Sequence, residues 1–423
     1  MRELLPQSPP PALAVALSGG PDSTALALLA REWSAEWGVR LLALTVDHGL
    51  RQASAAEAAA VAGWCVMRGL EPTVLRWSGA PPVSGLQASA RQARYRLLAE
   101  ACRQRGVRHL LLGHQRDDQI ETMLLRLAAG SGADGAAGMS AVSRRDGLWL
   151  LRPLLAWPRR AVLAVLAERG ETSLDDPSNR ARRFARARLR PVLAAAPDRL
   201  VERLAGAAQA FGRLRQVWQA ALRDASRLVS VEPLGYLRLA RGDFAALPAA
   251  LRVRLLARLL HCLGGHPHAP ASAAVVRLCA RLSGDGRVAA SLAGCVLRAD
   301  HGSVLVLREL RRLPPPGLLC PGAELRWDRF LIARSPGDRL RGQVRVGALG
   351  RRAWRSVLTA GDRARLSAVP AAVRPGLLAV EDAGGLAGLP QLGLWRAELG
   401  EPAIGVRFQP VHELVPDPFV IVC

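Results

Sequence analysis

Ser18-Gly19-Gly20-Pro21-Asp22-Ser23-Thr24 follows directly on the apolar run Ala12 to Leu17 and opens a helical pattern from Asp22 to Trp33. Two glycines let backbone N–H groups close on an anion, the helix N-terminus adds partial positive charge, and the Ser and Thr hydroxyls add donors. Asp22 is the odd member, because a carboxylate beside a phosphate repels it unless a divalent cation such as Mg²⁺ lies between them. Gly-Pro-Asp-Ser is also ordinary capping chemistry. Capping alone does not ask for two glycines, two hydroxyls and an acid together, so the stretch reads as a phosphate loop between a strand and a helix.

Working outward, Leu41 to Val46, Thr73 to Trp77 and Val107 to Leu112 are further strand-like runs, separated by helical spacing at Gln52 to Gly69 and Gln87 to Arg105. Strand and helix in alternation predict a doubly wound, mostly parallel α/β sheet over residues 1–205, with ligands at the carboxyl ends of its strands. Arginine-studded amphipathic patterns at Arg186 to Ser226 and Ala245 to Leu263, around a hairpin at Val229 to Leu239, predict a mainly helical domain over 206–312. Past the Pro-rich joint Arg311 to Pro316, strand-like alternation at Leu325 to Ala333 and Ala403 to Phe408 predicts a small α/β domain over 313–423.

The chain has 423 residues and a net charge of +23, and all 58 of its basic residues are arginine. The absence of lysine excludes a Schiff-base lysine, a lysine general base and a Walker A loop. A polyanionic partner fits the charge, although a composition bias replacing Lys by Arg gives the same count. Seven scattered cysteines without a C-x-x-C pair read as reduced thiols, and the Pro-rich N-terminal stretch lacks the apolar core of a signal peptide. A cytoplasmic protein without a membrane span is expected.

Further blocks end the other strand-like runs. Val46-Asp47-His48-Gly49 closes the second, and Leu112-Gly113-His114-Gln115-Arg116-Asp117-Asp118-Gln119-Ile120-Glu121-Thr122 closes the fourth. His114, Asp118 and Glu121 are spaced so that one helix surface can present all three, and Arg91 and Arg94 share another helix face. Residues 180–190 hold six arginines and no acid, which suits either a phosphate-contacting surface or a solvated face. Taken with Gly130 to Met139, Arg152-Pro153-Leu154-Leu155 and Asp176-Pro177-Ser178-Asn179, these blocks resemble, in order and spacing, the tRNA(Ile)-lysidine synthetases of the PP-loop (N-type ATP pyrophosphatase) superfamily. The resemblance covers residues 12 to about 192.

That resemblance implies a Rossmann-like PP-loop fold and an ATP-dependent ligation. Members join free L-lysine to C2 of the wobble cytidine in a CAU-anticodon tRNA(Ile), through an adenylated tRNA, with AMP and pyrophosphate released; codon reading changes from AUG to AUA and identity from Met to Ile. Carried over to this chain, Ser18, Gly19, Gly20, Pro21, Asp22, Ser23 and Thr24 would hold ATP, with Asp22 on Mg²⁺. Asp118, Glu121 and His114 would orient the lysine amine or the metal, His114 taking its proton from near its ordinary pKa. Arg94 and Arg186 would hold the activated nucleotide, and Arg91, Arg182, Arg183, Arg188, Arg190 and Arg339 would contact tRNA. Where family members commonly show Arg-Asn, this chain has Arg186-Ala187. The Gly-Asp-Arg of Pro336 to Arg339 resembles the entry to the family's last domain, and Arg351-Arg352-Ala353-Trp354-Arg355 stands where lysines are expected. Monomer and homodimer both remain open.

Two rivals share the loop. A tRNA thiolation enzyme would need reactive cysteines near the nucleotide, and only Cys65 and Cys102 lie in this domain. A tRNA-binding protein with an idle ATP site would have no use for Asp22, Asp118 and Glu121. Two other patterns are decoys: Gly130 to Gly135 matches G-x-G-x-x-G but follows a helix, and His261-Cys262 with His266 and His268 lacks the second pair that a zinc tetrahedron requires.

Overall fold

The structure, a computed structural model, describes residues 4–5, 8–49, 53–78, 86–172, 185–265, 270, 272–350, 360–400 and 403–422. It divides into two compact units, 1–219 with 417–423, and 220–416.

The first unit is built from β1 (Ala12–Ala16), α1 (Pro21–Trp37), β2 (Arg40–Asp47), α2 (Ser54–Met67), β3 (Glu71–Arg76), α3 (Leu86–Gln104), β4 (His109–Leu112), α4 (Arg116–Ala128), α5 (Ala133–Ala136), β5 (Val142–Arg145), β6 (Leu148–Leu151), α6 (Arg159–Glu168), α7 (Ala185–Ala194) and the first part of α8 (Asp198–Ser226). The sheet order is β3-β2-β1-β4-β6-β5, parallel except for β5 on β6. Period-two alternation decides which side chain goes where. Leu13, Val15, Leu41, Ala43 and Leu111 pack on one face with α1, α2 and α6. Ala14, Ala16, Leu42, Leu44, Leu110 and Leu112 pack on the other with Tyr95, Leu98 and Cys102 of α3. Burial on both faces explains why these strands read as continuous apolar runs. The strand order reverses between β1 and β4, so the loops leaving those two strands open a crevice at their carboxyl ends.

The last residues belong to this unit. The Val420 carbonyl accepts from the Ala141 N–H at 2.8 Å, its own N–H donates to Ser140 Oγ at 2.9 Å, and Arg215 lies 4.5 Å over the Phe419 ring.

The second unit holds β7 (Val229–Glu232), β8 (Tyr236–Ala240), α9 (Arg241–Ala246), α10 (Ala249–Gly264), α11 (Ser272–Ser283), β9 (Val288–Leu292), β10 (Cys295–Ala299) and β11 (Ser303–Arg308). Its strands form an antiparallel sheet ordered β7-β8-β11-β10-β9, so five strands stand beside the expected helices. β12 (Gly317–Leu319), β15 (Val344–Ala348), β16 (Leu378–Asp382), β17 (Gly385–Leu389) and β18 (Leu394–Trp395) make a second sheet; β13 (Glu324–Trp327), β14 (Phe330–Arg334) and β19 (Ile404–Phe408) make a third, and α12 (Ala360–Ala368) completes the unit. Leu325 to Ala333 is a hairpin rather than one strand, because Asp328 turns the chain at φ 45°. The Pro-rich joint does not interrupt the packing: Tyr236 and Leu307 share a core with Leu349, Leu366, Leu377 and Leu389. No helix among the described residues is long and apolar enough to cross a membrane.

Candidate active site

The loop after β1 is shaped by its own hydrogen bonds. Gly19 takes φ 83°, a conformation that glycine alone adopts without strain. Gly20 caps α1 with Pro21 at the first turn, where a missing N–H costs nothing. The Ser18 N–H donates to Ser23 Oγ at 3.2 Å, the Ser18 and Ser23 hydroxyls lie 3.1 Å apart, and Ser23 Oγ donates to the Gly20 carbonyl at 3.0 Å. Thr24 Oγ1 donates to the Gly19 carbonyl at 3.2 Å. Gly19 and Thr24 therefore brace the turn, while Ser18, Gly20, Pro21, Asp22 and Ser23 line the cavity beside it. Gly113, leaving β4, must be glycine for this packing: a Cβ there would lie 2.9 Å from the Asp22 carbonyl oxygen and the Ser23 nitrogen.

The second loop enters α4 through a capping box. The Gln115 N–H donates to Asp118 Oδ2 at 3.0 Å, and Gln115 Oε1 accepts from the Asp117 N–H at 2.7 Å. His114 precedes the helix instead of lying on its surface, a correction to the spacing argument, since α4 starts only at Arg116. Burial, then Arg152, Arg94, Arg91 and Arg186, hold the His114 imidazole well below its usual pKa. The expectation that His114 titrates near its ordinary value is thus wrong; the neutral ring can accept a hydrogen bond but is a weak base.

Four carboxylates, Asp22, Asp117, Asp118 and Glu121, line the cavity. Burial, reinforced by Asp118, pushes Asp22 up to about 6, against the opposing charges of Arg159 and Arg190. Burial also raises Glu121. Asp22 Oδ1 and Glu121 Oε2 are buried without a hydrogen-bond partner. Such oxygens suit a hard divalent cation whose remaining ligands are phosphate and water. No ready-made cluster of three ligands occurs among the described residues.

Arginines face the acids. Arg91, Arg94, Arg159, Arg186 and Arg190 line the same cavity of about 940 Å³, with Asp117, Asp118, Glu121 and His114. Arg186 Nη2 donates to Thr122 Oγ1 at 3.0 Å, and Arg190 bonds both Glu121 and Asp118. Arg159 was not singled out from the sequence. Its signal was available: α6 opens on two arginines and no acid, at a helix end that ordinarily prefers anions.

Of the other expected contacts, Arg188 is exposed on α7 and Arg339 is exposed in the second unit. Asp338 beside it is buried in an ion pair with Arg334 at 2.7 Å, which gives the Gly-Asp-Arg stretch a structural role. Arg182, Arg183, Asp176 to Asn179, His266, His268 and Arg351 to Arg355 lie outside the described residues. Cys65 and Cys102 are buried, and burial lifts both thiols to about 11, so neither is the reactive sulfur that thiolation needs.

Fold and site together define an ATP-binding PP-loop domain, and the family model described as a PP-loop domain matches residues 1–196. The tRNA(Ile)-lysidine synthase of Bradyrhizobium sp. is 45% identical over 268 residues, 60% of this chain and 74% of that protein. That of Bradyrhizobium diazoefficiens is 39% identical over 343 residues, 78% of this chain and 92% of its own length. That of Mesorhizobium japonicum is 36% identical over 425 residues, 95% and 89%. The chain belongs to the tRNA(Ile)-lysidine synthase family and is an enzyme.

Proposed function

We infer that the chain uses ATP to join free L-lysine to the wobble cytidine of a CAU-anticodon tRNA(Ile). One observation carries this reading: a single cavity at the β1/β4 switch point brings a phosphate loop, buried unpartnered carboxylate oxygens and five arginines together. In the first step the cytosine C2 oxygen bonds the α-phosphorus as the bond to the bridging oxygen breaks and pyrophosphate leaves. The Ser18 to Ser23 loop holds the departing phosphates, and Arg94, Arg186 and Arg159 meet the charge that develops. Asp22 would hold Mg²⁺, which would supply charge neutralisation when bound.

In the second step the ε-amine of lysine, having lost a proton, bonds C2, and the C2–O bond breaks to release AMP. Asp118 and Glu121 bind the ammonium, and Glu121, held above the ordinary carboxylate range by burial, accepts the proton. Neutral His114 orients the amine by accepting from it. The exposed arginines Arg188 and Arg339 contact tRNA phosphates. The product reads AUA instead of AUG and carries isoleucine identity.

Incubation with ATP, Mg²⁺, radiolabelled lysine and CAU-anticodon transcripts of isoleucine and methionine type tests the reading. Label is expected in the isoleucine transcript alone, and no label in either overturns it.

A further inference from the structure

The carboxylates that this reading assigns to the lysine amine already hold a cation. Arg190 Nε donates to Glu121 Oε1 at 2.9 Å and its Nη2 to Asp118 Oδ1 at 3.2 Å. The acids are 2% and 7% exposed, whereas Arg190 is 35% exposed. Asp118 Oδ2 is already taken by the Gln115 N–H, so Arg190 occupies the oxygen left to it. An ammonium group offers the same kind of donors to the same oxygens. Guanidinium and amine therefore compete for Glu121 Oε1 and Asp118 Oδ1, while Glu121 Oε2 has no partner.

The helix that carries Arg190 is weakly seated. None of the ten residues of α7 is buried. It meets α4 through polar contacts, Arg186 on Thr122 and Arg190 on the acid pair. Pro191 lacks the N–H that would bond the Ala187 carbonyl, which loosens the turn beside Arg190. A second acceptor would sit in the same cavity: Arg190 lines it together with Ser18, Gly20 and Ser23, and a guanidinium pairs with phosphate in a bidentate, charge-assisted geometry.

We propose that Arg190 is a positioning residue that exchanges between the acid pair and the phosphate of the bound nucleotide, so that the lysine amine gains Asp118 and Glu121 only after the nucleotide has drawn the guanidinium away. The proposal rests on the assignment of lysine as the amine substrate. Its consequences are an order of events and a selectivity. The empty enzyme refuses free amines, and nucleotide and lysine strengthen each other's binding by the same factor.

Equilibrium dialysis of radiolabelled lysine against the full chain, with and without a non-hydrolysable ATP analogue and Mg²⁺, measures that factor. The wild-type protein is expected to bind lysine roughly tenfold or more tightly with the analogue. Arg190→Gln and Arg190→Met are expected to bind lysine without the analogue about as tightly as the wild type does with it, and the coupling falls to near one. A residue that only braced α7 would weaken binding in both conditions and leave the ratio standing. Wild-type affinity indifferent to the analogue overturns the proposal even if neither variant folds, and so does full coupling in a folded variant. Transcript labelling by the wild type separates the two levels: label entering the isoleucine transcript while coupling is absent sinks the exchange alone, and no label sinks the functional reading and the exchange with it.

Discussion

The two walls of the cavity are built in opposite ways. The β1/β4 wall is continuous with the core: Leu13, Val15 and Leu111 are fully buried behind it, and Gly113 packs against the backbone of the phosphate loop. No residue of the α7 wall is fully buried, and Arg186 and Arg190 bond it to Thr122, Asp118 and Glu121 of α4. On the proposed function the wall continuous with the core serves a ligand that is the same in every turnover, a triphosphate. On the same reading the α7 wall stands where the lysine amine enters, and a guanidinium on a partly exposed helix can move without disturbing the core.

The largest effect that tests this contrast is chemical. Asp22→Asn is expected to lower pyrophosphate release in the tRNA-dependent adenylation by about a thousandfold or more, because the carboxylate on the β1/β4 wall has no substitute. The same variant should not be less stable. Asp22 sits at about 6 in the fold against an ordinary 3.8, so between those values the folded chain keeps a proton that the unfolded chain has released, and stability falls as pH rises through that window. Removing the charge is expected to stabilise the protein at neutral pH by about 1–3 kcal/mol, read as a raised melting temperature without Mg²⁺. A lowered melting temperature would make Asp22 part of the scaffold instead.

The walls also differ in what a truncation costs. Leu111→Ala, on the fully buried strand, is expected to lose about 2–5 kcal/mol in urea unfolding, while Val192→Ala on α7 stays within about 0.5 kcal/mol. Equal losses at the two positions would erase the distinction. Gly113→Ala is expected to weaken ATP binding about tenfold, since its Cβ must push the Asp22–Ser23 backbone aside, a fit of the kind that a small misplacement spoils. Unchanged ATP binding by isothermal titration would show that the loop tolerates the shift.

Two smaller effects follow. The kcat/KM for ATP is expected to fall about tenfold per pH unit below about 6, as Asp22 takes up a proton and loses the charge that attracts a cation; a flat profile down to pH 5 would remove that carboxylate from nucleotide binding. Arg339→Ala is expected to reduce the slope of log affinity for tRNA against log salt by about 0.7–0.9, and an unchanged slope excludes a phosphate contact there.

Much of this was legible in the chain itself. The alternation of apolar runs with helical spacing marks the parallel sheet, because strands buried on both faces must be apolar throughout. Ser18 to Thr24 and Gly113 to Glu121 announce themselves because their chemistry is local: a turn, a cap, an acid in an improbable place. Arg159 escaped notice because two arginines at the start of α6 are a weak mark among 58, and only the fold brings the charge of Arg159 to bear on Asp22. The hairpin at Val229 to Leu239 was legible, but the turn at Asp328 and the strands β9, β10 and β11 that complete that sheet were not, their short runs lacking any marker that distinguishes them from surface arginine-rich segments.

From the amino-acid order alone come the class of domain, the phosphate loop and the family, for all three rest on neighbours along the chain. The tertiary structure decided the rest. Burial among arginines made His114 a neutral acceptor instead of a titrating base, burial beside Asp118 lifted Asp22 to about 6, and the packing of α7 on α4 turned Arg190 from one of a run of surface charges into the partner of the acid pair. The reason is common to all of them: the energy of a charge depends on solvent exclusion and on the charges facing it, and those are set by residues distant in sequence.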